Sequence, residues 1–144
     1  MTRPYISKPL RELVRQRAGR RCEYCLSAEW LMGVYCEIDH VLPWTLGGTT
    51  TTDNLCLACP SCNANKHAKI EGVDPQSGRI APLFNPRTQT WKDHFAWSDD
   101  GTLVIGSSEV GRATVDTLQL NHPLVVSARS IWARAGYSPS ISQK

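Results

Sequence analysis

The chain has 144 residues, five tryptophans and an apolar fraction of 41%, which suits one domain or a small domain with an extension. No apolar run approaches the roughly 18 residues of a membrane helix, and no apolar signal region opens the chain, so a cytoplasmic protein is expected, with no membrane partner. Six cysteines in that reducing compartment indicate metal ligands and buried thiols rather than disulfides.

The net charge of +3 is unevenly placed. Residues 1–21 contain seven basic side chains and one acidic side chain, whereas residues 71–144 contain seven of each. A basic end predicts a polyanionic partner such as DNA. For the charge taken alone, a solvated helix face is the alternative.

The first predicted element is a basic helix. Ser7 suits its N-cap, Pro9 suits its first turn, and apolar residues follow at helical spacing until Gly19. Arg11 and Arg15 lie on the opposite face from the apolar stripe, and we take them as candidate nucleic-acid contacts.

Two Cys-x-x-Cys pairs follow, Cys22–Cys25 and Cys59–Cys62, with thirty-three residues between them. Four thiolates in two such pairs are typical of a closed tetrahedral zinc site with a structural role. Cys56–Cys59 has the same spacing and is an alternative second pair. A cysteine outside the site, such as Cys36, is expected to be a small buried residue.

The residues between the cysteine pairs predict a strand, a loop, a second strand and a helix. Val34–Val41 is rich in β-formers, residues 47–52 are glycine and threonine, and Asn54–Leu57 is a short apolar run. Pro60 suits the first turn of a helix that we expect to reach about Ile70.

A His and two Asn residues stand within this frame. Thirteen residues separate His40 from Asn54, and eight separate Asn54 from Asn63. Together with the cysteine pairs, this pattern resembles the HNH nuclease family and its ββα-metal fold, over about a third of the chain. The family places its second cysteine pair immediately before the final Asn, which favours Cys59–Cys62 as that pair.

The resemblance implies a set of roles. Asp39 and Asn63 would hold a Mg²⁺ or Mn²⁺ ion, for which carboxylate and amide oxygens are suitable ligands. His40 would be the general base, since imidazole has an ordinary pKa of about 6.5, and Asn54 would brace the loop and orient the His. Because neighbours on a regular strand face opposite sides, the strand must bend or end at Asp39 and His40.

Two further residues have weaker support. Glu37 faces the same side as Asp39, and an auxiliary metal role and an exposed strand position are equally weighted. Lys66 follows Asn63 by about one helical turn, so we add it to the candidate nucleic-acid contacts, with a surface lysine as the alternative.

The second half predicts a β-hairpin over residues 91–105, a helix over Val110–Leu120 and a last helix capped by Asn121. We therefore expect an α+β fold. Residues 1–70 would form an HNH core with a zinc knuckle and the N-terminal helix, and residues 71–144 would form a hairpin-plus-helices extension packed on that core.

The function that follows is a zinc-stabilised, divalent-metal-dependent endonuclease acting on DNA. The family implies products with 5′-phosphate and 3′-hydroxyl ends. One alternative is a non-catalytic zinc-ribbon DNA-binding module, which would need the cysteines and the basic helix but not Asp39, His40 and Asn63 together. Another is a zinc module that binds proteins.

Overall fold

The computed structural model describes residues 2–139, which divide into two compact units. The first contains residues 2–70 together with Asn85–Gln89, and the second contains Glu71–Phe84 and the described residues from Thr90 onward. None of the helices in this part of the chain is long and apolar enough to cross a membrane. The expectation that the second half packs on the first stays a prediction.

The first unit begins with helix α1, Lys8–Arg17. As expected, the Ser7 hydroxyl caps it by accepting from the Leu10 amide at 3.3 Å. Its apolar stripe buries Val14 completely. A second, four-residue helix, α2, spans Glu29–Met32 and ends at Gly33, whose left-handed φ of 75° suits a residue without a side chain.

Two antiparallel strands and a helix complete the first unit. Strand β1, Glu37–His40, pairs with β2, Leu55–Ala58, and Asp39 lies opposite Cys56. All four residues of β2 are buried. Helix α3, Pro60–Lys66, follows directly, with Pro60 in its first turn. The predicted order of strand, loop, strand and helix is confirmed.

Helix α3 is shorter than the sequence predicted. It ends at Lys66 rather than near Ile70, because His67 takes a φ of +49° that cannot continue a right-handed helix. The segment Asn85–Gln89 belongs to this unit, where the Arg87 guanidinium donates to the Glu23 carboxylate.

The second unit contains two hairpins and two helices. Strands β3 and β4 pair antiparallel, as do β5 and β6. Its elements are β3 (Glu71–Val73), β4 (Ile80–Pro82), β5 (Phe95–Trp97), β6 (Val104–Gly106), α4 (Glu109–Thr117) and α5 (Pro123–Arg134).

The predicted cap of the last helix is wrong. His122 caps α5, since its Nδ1 accepts from the Leu124 amide at 3.1 Å. The Asn121 side chain is used elsewhere, because it bonds both backbone groups of Val104 and accepts from the buried Arg129 guanidinium. A tertiary contact therefore removes Asn121 from the capping role.

A buried ion pair joins β3 to α4 in this unit. The Asp74 carboxylate is fully buried and accepts two hydrogen bonds from Arg112, at 2.9 and 3.0 Å. These hydrogen bonds lower the pKa of Asp74 well below its usual range, and the Gln76 amide acts in the same direction. The Arg79–Glu109 pair is a natural comparison, because Arg79 is 72% exposed.

We expect Arg112→Met to make the second unit sensitive to acid. A carboxyl with a lowered folded-state pKa contributes stability above its unfolded pKa of about 3.9, and that stability is lost as the pH falls through the folded pKa. Without Arg112 the folded-state pKa rises, so acid unfolding followed by circular dichroism should begin at a higher pH. Arg79→Met is the matched control and should leave the acid midpoint unchanged.

Candidate metal centres and active site

Four buried thiols gather in the first unit. The Sγ atoms of Cys22, Cys25, Cys59 and Cys62 all lie within 4.8 Å of one another. The two pairs have the same local geometry, since the Cys25 amide points to the Cys22 sulfur and the Cys62 amide to the Cys59 sulfur, each at 3.4 Å. These are the four thiols that the sequence groups together.

The spacing of the cluster fits a zinc ion. Tetrahedral zinc with four bonds of about 2.3 Å holds its sulfurs roughly 3.8 Å apart, and Cys25 Sγ lies 3.8 Å from Cys59 Sγ. The other two cysteines lie outside the cluster. Burial raises the pKa of the Cys36 thiol to about 12, and the Cys56 sulfur contacts the Tyr24 hydroxyl at 3.5 Å and Asp39 at 3.6 Å.

A second site opens where β1 ends. Its cavity has a volume of about 220 Å³ and is lined by Asp39, His40 and Asn63 together with Arg3 and His67. The proposed roles require the strand to bend or end at Asp39 and His40, and β1 ends at His40. Two neighbouring residues of one strand therefore line the same cavity.

His40 is nearly buried, at 5% exposure. Its Nε2 lies 3.0 Å from the Thr50 hydroxyl oxygen. Burial lowers the pKa of His40, and the positive charges of Arg3 and Lys66 act in the same direction against the opposing charge of Asp39. The imidazole is therefore neutral at neutral pH and has a lone pair to accept a proton.

Asp39 is held by groups of the protein itself. Its Oδ2 accepts from the Tyr24 hydroxyl at 2.9 Å and lies 3.1 Å from the Lys66 ammonium. Lys66 is 1% exposed and also donates to the His40 carbonyl at 3.1 Å. Lys66 thus lies inside the unit rather than on its surface, and it links the two residues at the end of β1 to α3.

Asn63 is oriented by Glu37. Its Nδ2 donates to Glu37 Oε2 at 2.6 Å, between the middle of α3 and the start of β1. Since the amide nitrogen is committed to Glu37, the carbonyl oxygen Oδ1 is the atom that this side chain can offer to a cation. Glu37 itself is exposed.

Asn54 closes the loop between the two strands. Its Oδ1 accepts from the Leu42 amide at 2.8 Å, and its Nδ2 donates to the carbonyls of Leu42 and Thr49, each at 2.9 Å. Gly48 permits this closure, because a Cβ there would lie 1.7 Å from the Leu42 carbonyl oxygen. The same loop carries Thr50, so Asn54 fixes the partner of His40.

The two arginines of α1 that we predict to contact DNA differ in their exposure to solvent and in their ion pairs. Arg11 is exposed and donates to the Ile6 carbonyl at 3.0 Å. Arg15 is 19% exposed, pairs with Glu29 at 2.8 Å and donates to the Cys36 carbonyl at 3.0 Å. A nucleic-acid role for each stays a prediction, and Arg11 is the better placed of the two.

Three residues of the site were not singled out by the sequence. Arg3 lines the cavity and donates to the Ile38 carbonyl at 2.9 Å. Thr50 contacts His40, and His67 lines the cavity from the end of α3. Arg3 reaches the cavity through a long-range contact, Thr50 through the folding of its loop, and His67 through its place at the end of a helix. Residue spacing in the sequence predicts none of these.

Comparison with known proteins gives two matches. Residues 22–69 match the family model described as HNH endonuclease. An alignment 68 residues long, which covers 44% of this chain, is 32% identical to the type IV methyl-directed restriction enzyme EcoKMcrA of Escherichia coli (strain K12). The match spans 24% of the length of that enzyme.

We predict that the four clustered thiols hold one zinc ion per chain. Cys62→Ser should lose that zinc and destabilise the first unit, because a metal that binds only the folded state contributes its binding free energy to folding. Elemental analysis of protein purified in metal-free buffer measures the stoichiometry. Cys36→Ser and Cys56→Ser are the controls and should keep the zinc. Loss of zinc from Cys56→Ser with retention in Cys62→Ser would contradict this ligand set.

Proposed function

Because residues 22–69 form a domain of the HNH endonuclease family, we propose that this chain hydrolyses DNA phosphodiester bonds with the help of a divalent ion. The observation that carries the proposal is the cavity at the end of β1, where Asp39, His40 and Asn63 meet. A non-catalytic zinc module would not need a general base and metal ligands to line one cavity. The cytoplasmic location expected from the sequence is part of this proposal.

His40 is the general base in this mechanism. The mechanism uses the tautomer in which Nε2–H donates to the Thr50 hydroxyl oxygen, 3.0 Å away, so that Nδ1 carries the lone pair that takes a proton from the attacking water. Asn54 fixes the loop that carries Thr50 and in this way sets the direction of the imidazole ring. His40 therefore acts on water and makes no bond to the ion.

Asp39 and Asn63 supply the oxygens for a Mg²⁺ or Mn²⁺ ion. The donor set fits a hard cation, since both side chains line the cavity and Asp39 keeps acceptor capacity at Oδ1, whose nearest donor, Lys66, is 3.4 Å away. When bound, the ion would stabilise negative charge on the scissile phosphate and the departing 3′ oxygen. The resulting ends are a 5′-phosphate and a 3′-hydroxyl.

Two cationic side chains assist at this cavity. Arg3 faces it and can contact a phosphate bidentately, as a planar guanidinium does. Lys66 acts from behind, where it holds Asp39 and the His40 carbonyl. We therefore assign phosphate contact at the cavity to Arg3 and a positioning role to Lys66.

We predict that His40→Ala lowers the rate of plasmid cleavage by roughly 10²–10⁴-fold, the usual contribution of a general base. Supercoiled plasmid with added Mn²⁺ or Mg²⁺, analysed on a gel, measures the rate. DNA binding and Mn²⁺ binding should remain, because His40 is not a ligand in this mechanism.

Asn63→Ala is the matched variant from the other side of the cavity. It should weaken Mn²⁺ binding in a calorimetric titration, and excess Mn²⁺ should restore part of its activity. If His40→Ala abolished ion binding while Asn63→Ala left it intact, the two roles would be reversed. If both variants cleaved plasmid at the wild-type rate, His40 and Asn63 would not be the catalytic residues. If the wild type did not cleave plasmid with either ion, the chain would be a zinc module and not a nuclease.

We further predict that Glu37 orients Asn63 and does not bind the ion. Glu37→Gln keeps an acceptor oxygen for the Asn63 amide, so its Mn²⁺ affinity and cleavage rate should stay near the wild-type values. Glu37→Ala removes that acceptor and should weaken Mn²⁺ binding in the titration. An equal loss of affinity in both variants would make the Glu37 carboxylate itself a ligand.

A further inference from the structure

An aromatic patch lies on the first unit, away from the residues of the catalytic cavity. We define it by Trp30, Val34 and Tyr35, which are 64%, 46% and 78% exposed, and by the flanking Arg15 and Arg20. Most of these side chains line a cavity of about 430 Å³, a volume within the usual range of ligand sites. We propose that this patch binds a nucleobase of the DNA substrate by stacking, an inference that rests on the proposed function.

The ring of Tyr35 is held in place by a chain of charged groups. The Arg15 guanidinium lies over the ring, 5.8 Å from its centroid. Glu29 fixes that guanidinium by an ion pair of 2.8 Å and also accepts from the Cys36 amide at 2.7 Å. One face of the ring therefore rests on a fixed cation, while the residue as a whole stays largely exposed to solvent.

The backbone brings Trp30 to the same surface. Helix α2 ends after one turn at Gly33, whose backbone is left-handed, and Val34 and Tyr35 line a cavity with Trp30. Because Glu29 belongs to the same helix and is 92% buried, its ion pair anchors the turn to the core. The two aromatic side chains thus stand on an anchored turn and not on a free loop.

The charges beside the patch favour a nucleic acid as its occupant. Arg20 is half-exposed beside the cavity, where it pairs only loosely with Glu12 at 3.6 Å and Glu29 at 3.9 Å, and α1 carries the exposed Arg11. Aromatic rings next to arginines are the usual platform for unpaired bases, where stacking is combined with attraction of the phosphates.

The distance to the catalytic cavity also fits a DNA strand. His40 follows Tyr35 by five positions, which span at most about 17 Å of extended chain. At about 3.4 Å per nucleotide along one strand, the stacked base would lie within roughly five nucleotides of the cleaved phosphate. A base that is unpaired or easily unpaired near the cleavage site is therefore the preferred partner.

The test measures binding without cleavage, in the 144-residue chain carrying His40→Ala, with no added divalent ion. The probes are a fluorescent DNA duplex, the same duplex with one unpaired 2-aminopurine, and the single strand. Protein with an intact patch should bind the two probes with unpaired bases more tightly and quench the 2-aminopurine. Trp30→Ala and Tyr35→Ala should weaken those complexes by roughly 5- to 150-fold, the range for loss of one stacked base.

Conservative and remote variants serve as controls. Trp30→Phe keeps an aromatic face and should retain the quenching, whereas Trp30→Leu should lose it. Tyr137→Ala removes another exposed aromatic side chain, in the second unit, and should have no effect.

The outcomes separate the inference from the proposed function. Binding to none of the probes by protein with an intact patch would contradict the proposed function. Tight binding that Trp30→Ala and Tyr35→Ala leave unchanged would overturn the patch alone. If these variants instead dissociated a dimer seen by sedimentation without DNA, and DNA binding were unchanged, the patch would be a surface for self-association.

Discussion

The four-thiol cluster joins parts of the first unit that are distant in the sequence. Its sheet has two strands of four residues each, and such a hairpin is marginally stable alone. The cluster joins the Cys22–Cys25 turn to the start of α3. A zinc ion held there would fix the helix that carries Asn63 and Lys66, and in this way would set the geometry of the proposed catalytic cavity.

Helix α3 shows how much one short element can combine. In seven residues it contributes a thiol to the cluster, an amide to the cavity and an ammonium to the interior. Cys62 and Asn63 are adjacent, so their side chains leave the helix about 100° apart. Lys66 follows them by four and three residues and lies on the same side of the helix, one turn along. Each is then fixed by a partner outside the helix: the other thiols, Glu37 and Asp39.

The sequence predicted the features that depend on local spacing. The cysteine pairs, the Ser7 cap and the order of β1, β2 and α3 all follow from residues close together in the chain. It failed where a distant residue decides the outcome. Asn121 does not cap α5, because its side chain forms hydrogen bonds with Val104 and Arg129 instead.

The charged residues show the same limit. The sequence shows that Arg15 and Lys66 are positively charged. It cannot show that each forms an ion pair within the protein, Arg15 with Glu29 and Lys66 with Asp39. The aromatic patch has no periodicity at all. Its side chains come together where α2 ends after one turn at the left-handed Gly33.

The buried ammonium of Lys66 has a consequence for ion selectivity in the proposed enzyme. The ammonium lies 3.1 Å from Asp39 and already offsets the negative charge of that carboxylate. A metal cation that binds Asp39 therefore gains electrostatic stabilisation only to the extent that its charge exceeds that of the ammonium. Sodium and potassium ions carry no more charge than an ammonium and bring no advantage to the carboxylate. A doubly charged ion does, particularly with the Asn63 oxygen as a second ligand. Lys66 would therefore make the site selective for divalent ions over the monovalent ions of ordinary salt.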